Sequence, residues 1–272
     1  MPRFHKQLII AIIFFGLVGL TAFGIWQLTK PAPSCFDGLQ NQGEEGIDCG
    51  GPCQPCEILT LQPLQILWTE AIPVQDNFYD ALAQIKNPNQ NYGSGQISYT
   101  FNFYDIEHHL IIQESGQTYI LPSQTKYILV RKINSPVQIE RVDLTINQEI
   151  QWKKLKDYQP PQFTIRQKEY RLLTGDEPGF SQASGIVVNK TNFDFDKVEV
   201  DVLLFDSRQR LIGLNSSQIR TLLAGQERHF VVTWFEPLPA EVASVEIEVE
   251  TNLFDSANYM IRHGMPEKFQ EY

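Results

Sequence analysis

Cysteine is the residue type in this chain best placed to do chemistry. The only four, Cys35, Cys49, Cys53 and Cys56, fall in one stretch, CFDGLQNQGEEGIDCGGPCQPC. Three chemistries suit such a cluster. In an oxidising compartment an even count in a Gly/Pro-rich segment reads as two disulfides, with three pairings open. Four thiolates could instead hold zinc; Cys53-x-x-Cys56 has knuckle spacing, whereas Cys35 and Cys49 are too far apart for it. Cys53-Gln-Pro-Cys56 also has the form of a redox pair. A redox pair needs a helix N-terminus or basic neighbours to lower a thiol pKa, and these surroundings are acidic and Pro-rich. We expect disulfides, with thiol–disulfide redox or zinc chemistry as the alternative.

Two weaker sites accompany the cysteines. Asp37, Asn41, Glu44 and Asp48 offer hard oxygen ligands among glycines, as calcium loops do, although their spacing fits no EF-hand. Calcium is therefore the candidate cofactor, and a solvated acidic loop is the competing reading. Further along, Lys153, Lys154 and Lys156 begin a basic stretch that also holds Arg166, Lys168 and Arg171 against Asp157 and Glu169. It could bind an anionic polymer or headgroup, or it could be exposed strand faces that offset an acidic body. No enzyme motif is present: there is no HExxH, no G-x-S-x-G, no P-loop and no dinucleotide-binding glycine pattern. His108 and His109 are adjacent near a turn, where their side chains diverge. We expect no catalytic residues.

The elements that position these groups are mostly strands. Residues 79–105 and 181–206 repeat one pattern, with Asn87 matching Asn189 at an offset of 102 and Asp105 matching Asp206 at 101. LPSQTKYILV (121–130) parallels LAGQERHFVV (223–232), and 142–146 parallels 245–249. A period near a hundred residues means duplicated domains, too long for a solenoid. Ile97, Tyr99, Phe101 and Phe103 alternate with Ser98, Thr100 and Asn102, and Val198, Val200, Val202 and Leu204 alternate with Glu199, Asp201 and Leu203, so each run buries one face of a sheet. Asp105 and Asp206 each open a turn. Seven strands per copy are expected, with 211–216 and 218–223 read as two of them. That makes the chain all-β, with two tandem immunoglobulin-like sandwiches. The expected divisions are 1–30, a cytoplasmic tip and membrane helix; 31–57, a cysteine-rich acidic module; 58–160 and 161–253, the two sandwiches; and 254–272, a tail.

The run Phe101-Asn102-Phe103-Tyr104-Asp105 resembles the signature of the FxLYD family, with Phe103 where the family has Leu. Val202-Leu203-Leu204-Phe205-Asp206 is a looser match, and Gly185-x-Val187-x-Asn189 and Leu223-x-Gly225 also fit the family's layout. The resemblance implies a small extracytoplasmic β-sandwich, often behind an anchor, with no catalytic residues. The 35–56 stretch is similar to a small cysteine-rich module of bacterial surface and secreted proteins, which implies location more than chemistry.

The N-terminus supplies the compartment. Residues 8–28, bounded by Leu8 and Leu28, carry no charge, and 21 residues of helix span roughly 30 Å, the thickness of a bilayer core. Arg3 and Lys6 precede the run, and an acidic stretch follows Lys30. The positive-inside rule then places the N-terminus in the cytoplasm and the rest outside. The run is longer than the apolar region of a cleaved signal peptide. Beyond residue 30 the chain holds 19 basic against 32 acidic residues, which argues against nucleic-acid binding. The expected protein is a single-pass, non-catalytic binding or structural component of the bacterial cell envelope. Its partners would be the lipid bilayer, through one helix, and an envelope protein or polymer still to be identified.

Overall fold

The computed structural model describes residues 3–29, 34–147 and 149–258, with side chains described for 11–25 within the N-terminal helix. The chain divides into two compact units, one ending at Leu61 and the other starting at Gln62.

In the first unit, α1 runs Arg3–Thr29. The described part of this helix does not support the expected membrane crossing. Among the described residues no helix is long and apolar enough to cross a membrane. Side chains are described over 11–25, about 22 Å of helix against roughly 30 Å of hydrocarbon. Leu8 and Leu28, the ends of the expected span, lie outside the residues with described side chains. After the helix, residues 34–55 form turns held by two disulfides, followed by a 3-10 turn, Cys56–Thr60.

The second unit is all-β and antiparallel. Its strands are β1 (Gln65–Gln75), β2 (Phe78–Lys86), β3 (Tyr92–Tyr104), β4 (Leu110–Ile120), β5 (Thr125–Asn134), β6 (Arg141–Ile146), the two-residue β7 (Lys153–Lys154), β8 (Phe163–Leu172), β9 (Ser181–Asn189), β10 (Phe195–Phe205), β11 (Leu211–Leu222), β12 (Glu227–Trp234) and β13 (Ser244–Glu250). They form sheets β1-β2-β5 and β4-β3-β6 in the first half, with β7 paired to β3, and β8-β9-β12 and β11-β10-β13 in the second. The sheet order is the same in both halves, as the repeat requires. Each half has six main strands rather than the seven expected. The two strands read at 211–216 and 218–223 are one, β11. Asn215-Ser216-Ser217 looks like a turn in sequence but pairs in unbroken register with Val202, Asp201 and Val200.

Each half encloses its own core. Ala81, Ala83, Ile85, Ile97, Phe101, Phe103 and Ile128 fill the first. Ala183, Val187, Phe195, Val200, Phe230 and Trp234 are among those filling the second. Burial of the Val, Ile and Phe side chains among these, at about 1.5–3 kcal/mol each, drives the sheets together. The repeat extends to individual hydrogen bonds. Asn87 and Asn189 are fully buried, and each side-chain amide donates to two carbonyls: Tyr92 and Leu121 in one half, Phe193 and Leu222 in the other. Gln124 and Gln226 accept from the amides of Leu121 and Leu223. Asp105 Oδ1 accepts from Glu107 and His109 N–H, and Asp206 Oδ1 from Arg208 and Arg210 N–H. His108 and Gln209, inside these turns, both take positive φ.

Candidate functional site

A third apolar cluster joins the halves. Ile72 and Leu82, on the outer face of the β1-β2-β5 sheet, pack with Tyr127 against Leu203, Leu211 and Leu214 of the β11-β10-β13 sheet. Trp68 lies edge-on to Tyr127, 6.1 Å between ring centroids, and donates through Nε1 to Gln84. Phe254, just past β13, fills the space that side chains at Gly93 and Gly95 of β3 would occupy. The two halves are thus one packed body with a continuous junction.

Beside this cluster the junction is ionic. In the β10–β13 register, Glu199 faces Glu250, Asp201 faces Glu248, and Leu203 faces Glu246. Directly opposed residues share a sheet face, so four carboxylates form a two-by-two array toward the first half. Strand β5 answers it. Lys126, 2% exposed, donates to Glu250 Oε1 at 2.7 Å and sits 3.9 Å from the centroid of the Tyr119 ring. Gln124 Nε2 donates to Glu250 Oε2. Tyr127 donates through its backbone N–H to Glu248 Oε2 at 3.1 Å and through its hydroxyl to Glu246 Oε1 at 3.0 Å. Arg131 donates to Asn215 across the same junction.

One buried cation faces four acids, and the acids' proton affinities rise accordingly. Burial, then the Glu250 and Glu199 charges, push Asp201 up to about 7, against the pull of Lys126 and Arg131. Burial and Glu250 push Glu248 up to about 8, with the Tyr127 amide and Lys126 opposing. Glu250 is also raised by burial, with Lys126 pulling against it. Burial and the surrounding carboxylates hold the Tyr119 hydroxyl well above its ordinary range. A cavity of about 350 Å³, lined by Thr118, Lys126, Glu199, Asp201, Ser216 and Glu250, opens beside the array. A second cavity of about 450 Å³, mostly apolar, lies between Ile72, Phe78, Gly213, Trp234 and Leu238.

The residues singled out from sequence are placed as follows. The four cysteines form two disulfides, Cys35–Cys53 and Cys49–Cys56. No free cysteine remains, so the thiolates that zinc or redox chemistry needs are tied up in this state. The calcium set is not drawn into one cage; its carboxylates are occupied by the loop. Asp48 accepts from the amides of Asp37 and Gly38, and Asp37 from Ser34 N–H, Leu39 N–H and the Asn41 side chain. Glu44, buried, accepts from Asn41 N–H. Among the described residues, the one group close enough for a shared ion is Cys35, Glu44 and Cys53, and both of its sulfurs are bonded to each other. Gly51 has φ +57°, and a Cβ there would meet the Gly43 carbonyl oxygen at 2.4 Å, which pins this tight crossing to glycine.

Lys153 and Lys154 are exposed on β7, and Lys156 follows it in an exposed stretch. Lys154 Nζ lies 5.7 Å from the centroid of the Tyr92 ring. Arg166 pairs with Glu227 and Arg171 with Glu177, so part of the basic stretch is locally neutralised. His109 lies near Asp105 and Glu107 at an exposed turn. Sequence reading missed Lys126, Tyr127, Asp201, Glu248 and Glu250. The available signal was the alternation in VEVDVLLF and VEIEVE, whose acidic face reads as solvated unless a partner sheet is known. No protein-family model matches the chain, and no curated protein sequence matches it.

Proposed function

We propose that this protein is a membrane-anchored, extracytoplasmic binding or structural component of the bacterial cell envelope, and that it is not an enzyme. The observation that carries this reading is the cysteine-rich stretch closed by two disulfides, which persist in oxidising compartments outside the cytoplasm. The uncharged run at 8–28, with Arg3 and Lys6 before it and acids after it, supports a single-pass anchor with its N-terminus inside. The duplicated six-strand topology and the Asp105 and Asp206 turns support two immunoglobulin-like sandwiches resembling FxLYD domains. Sandwich edges and loops present binding surfaces without chemistry. The partner in this reading is an envelope protein or polymer rather than nucleic acid.

Protease protection of intact cells against permeabilised ones tests the topology. The reading expects cleavage of the β-sheet unit from outside intact cells or spheroplasts. Protection of that unit until the inner membrane is broken would overturn it. Cross-linking in cells, followed by identification of the trapped species, then tests the binding role.

A further inference from the structure

We propose that the junction between the two halves of the β-sheet unit is a proton-sensitive lock, tightened by protons on Asp201 and Glu248 and loosened when both ionise. The geometry is a crowded one. Asp201 and Glu248 are direct cross-strand partners, and the next rung is a second acidic pair, Glu199 and Glu250. Like charges directly opposed in a sheet repel. Here water cannot screen them fully, because Asp201 is 8% exposed and Glu250 6%.

The groups facing the pair come from every element packed on it. From β5 come Lys126, Tyr127 and Arg131; from β4, Tyr119; from β10, Glu199; from β13, Glu246 and Glu250. Lys126 is spoken for by Glu250 at 2.7 Å, and Glu199 is paired at the rim with Lys197. Tyr127 Oη already donates to Glu246. Arg131 donates to Asn215, so among the described residues no cation is bonded to the Asp201–Glu248 rung, and Lys126 and Arg131 act on it only from beside it. A proton is the remaining way to remove its repulsion, and the adjoining 350 Å³ cavity lets that proton exchange.

The direction follows from linkage. Both groups hold protons more tightly when the junction is closed than when it is open to water, so closure binds protons and weakens as pH rises. With ordinary carboxylate values of about 4 when open and about 7 and about 8 when closed, the tightening is complete below about pH 4 and is lost progressively until both groups ionise at about pH 8. Each half has its own core, away from the junction. Loosening should therefore precede unfolding of either half.

The test is amide hydrogen exchange on the full chain at pH 6 and pH 9, as protection factors corrected for intrinsic rates. The expected result is a tenfold or greater loss of protection at Tyr127 and its β5 neighbours, with buried β3 and β9 amides unchanged. The D201N/E248Q variant, which keeps shape but cannot ionise, should lose this dependence. Should the double variant fail to fold, E248Q alone should show a shallower dependence. Wild-type protection at Tyr127 that is flat from pH 6 to 9 would overturn the proposal. So would a variant that keeps the full wild-type dependence.

Discussion

Replacing Lys126 by methionine tests how the junction is held. Methionine keeps an unbranched apolar side chain of similar length and removes the ammonium group, and with it both the Glu250 pair and the contact with the Tyr119 ring. At 2.7 Å and an effective dielectric near 20, the gross attraction between Lys126 and Glu250 is about 6 kcal/mol. Desolvation of both ions offsets much of that, so the pair is worth far less than this figure as a net contribution. Removing one partner is different, because Glu250 then stays buried beside three other acids with no cation. Breaking a buried pair in this way costs about 3–5 kcal/mol. For a unit of roughly 200 residues, each kcal/mol moves Tm by about 2–4 °C, so K126M should lower Tm by about 6–20 °C. Glu250 can escape by taking up a proton, so the loss should be smaller at pH 5 than at pH 8. Scanning calorimetry of wild type, K126M, E250Q and K126M/E250Q at both pH values completes a double-mutant cycle. The double variant should lie nearer to wild type than K126M does. A K126M loss below 1 kcal/mol at pH 8, or a double variant as unstable as the sum of the singles, would refute the reasoning.

Other outcomes follow from the same structure. Asn189→Ala should cost about 2–4 kcal/mol by chemical denaturation, since two buried carbonyls lose their donor; Asn87→Ala should match it at the equivalent site. Asp206→Ala should lower Tm by more than Asp206→Asn, because asparagine retains an acceptor for the Arg208 and Arg210 amides. These amides and the Arg210 side chain hold Asp206 below the usual carboxylate range, so its stabilisation is present at neutral pH and lost as pH falls below about 4; melts from pH 2 to 6 read this out. Phe101→Ala in the first core should cost about 3–5 kcal/mol. Mild reduction should open residues 34–57 to protease at sites that are resistant in the oxidised chain, because the two cross-links replace an apolar core there.

Much of the fold is legible in the sequence because its signals are local. Period-two alternation marks β3 and β10, and a carboxylate that caps its own turn marks Asp105 and Asp206. The hundred-residue offset links Asn87 to Asn189, and the oxidising reading of four clustered cysteines agrees with two disulfides. The misreading of β11 is local as well: Asn-Ser-Ser favours turns, but pairing along β10 overrides that preference. The pairing of the cysteines needed the folded loop, since spacing leaves all three connectivities open.

What only tertiary structure decides is which sheet faces are covered. Alternation says that β10 has an apolar face and an acidic one, and that β2 and β5 have a second, mixed face. It cannot say that these faces meet. The two copies differ at the positions that matter: Leu82 and Tyr127 of the first correspond to Ser184 and His229 of the second, while Leu203 of the second corresponds to Asn102 of the first. That difference permits one stacking of the halves and leaves its counterpart polar, and it becomes meaningful only once the register of both sheets is known. By itself, the sequence sets the elements, the repeat and the cross-link chemistry, because these depend on neighbours within a few residues or on composition. The proton-sensitive array depends on Glu248 and Glu250 lying beside Asp201 and Glu199 and beneath Lys126. Those groups lie about fifty to more than a hundred residues apart along the chain, and only packing brings them within reach.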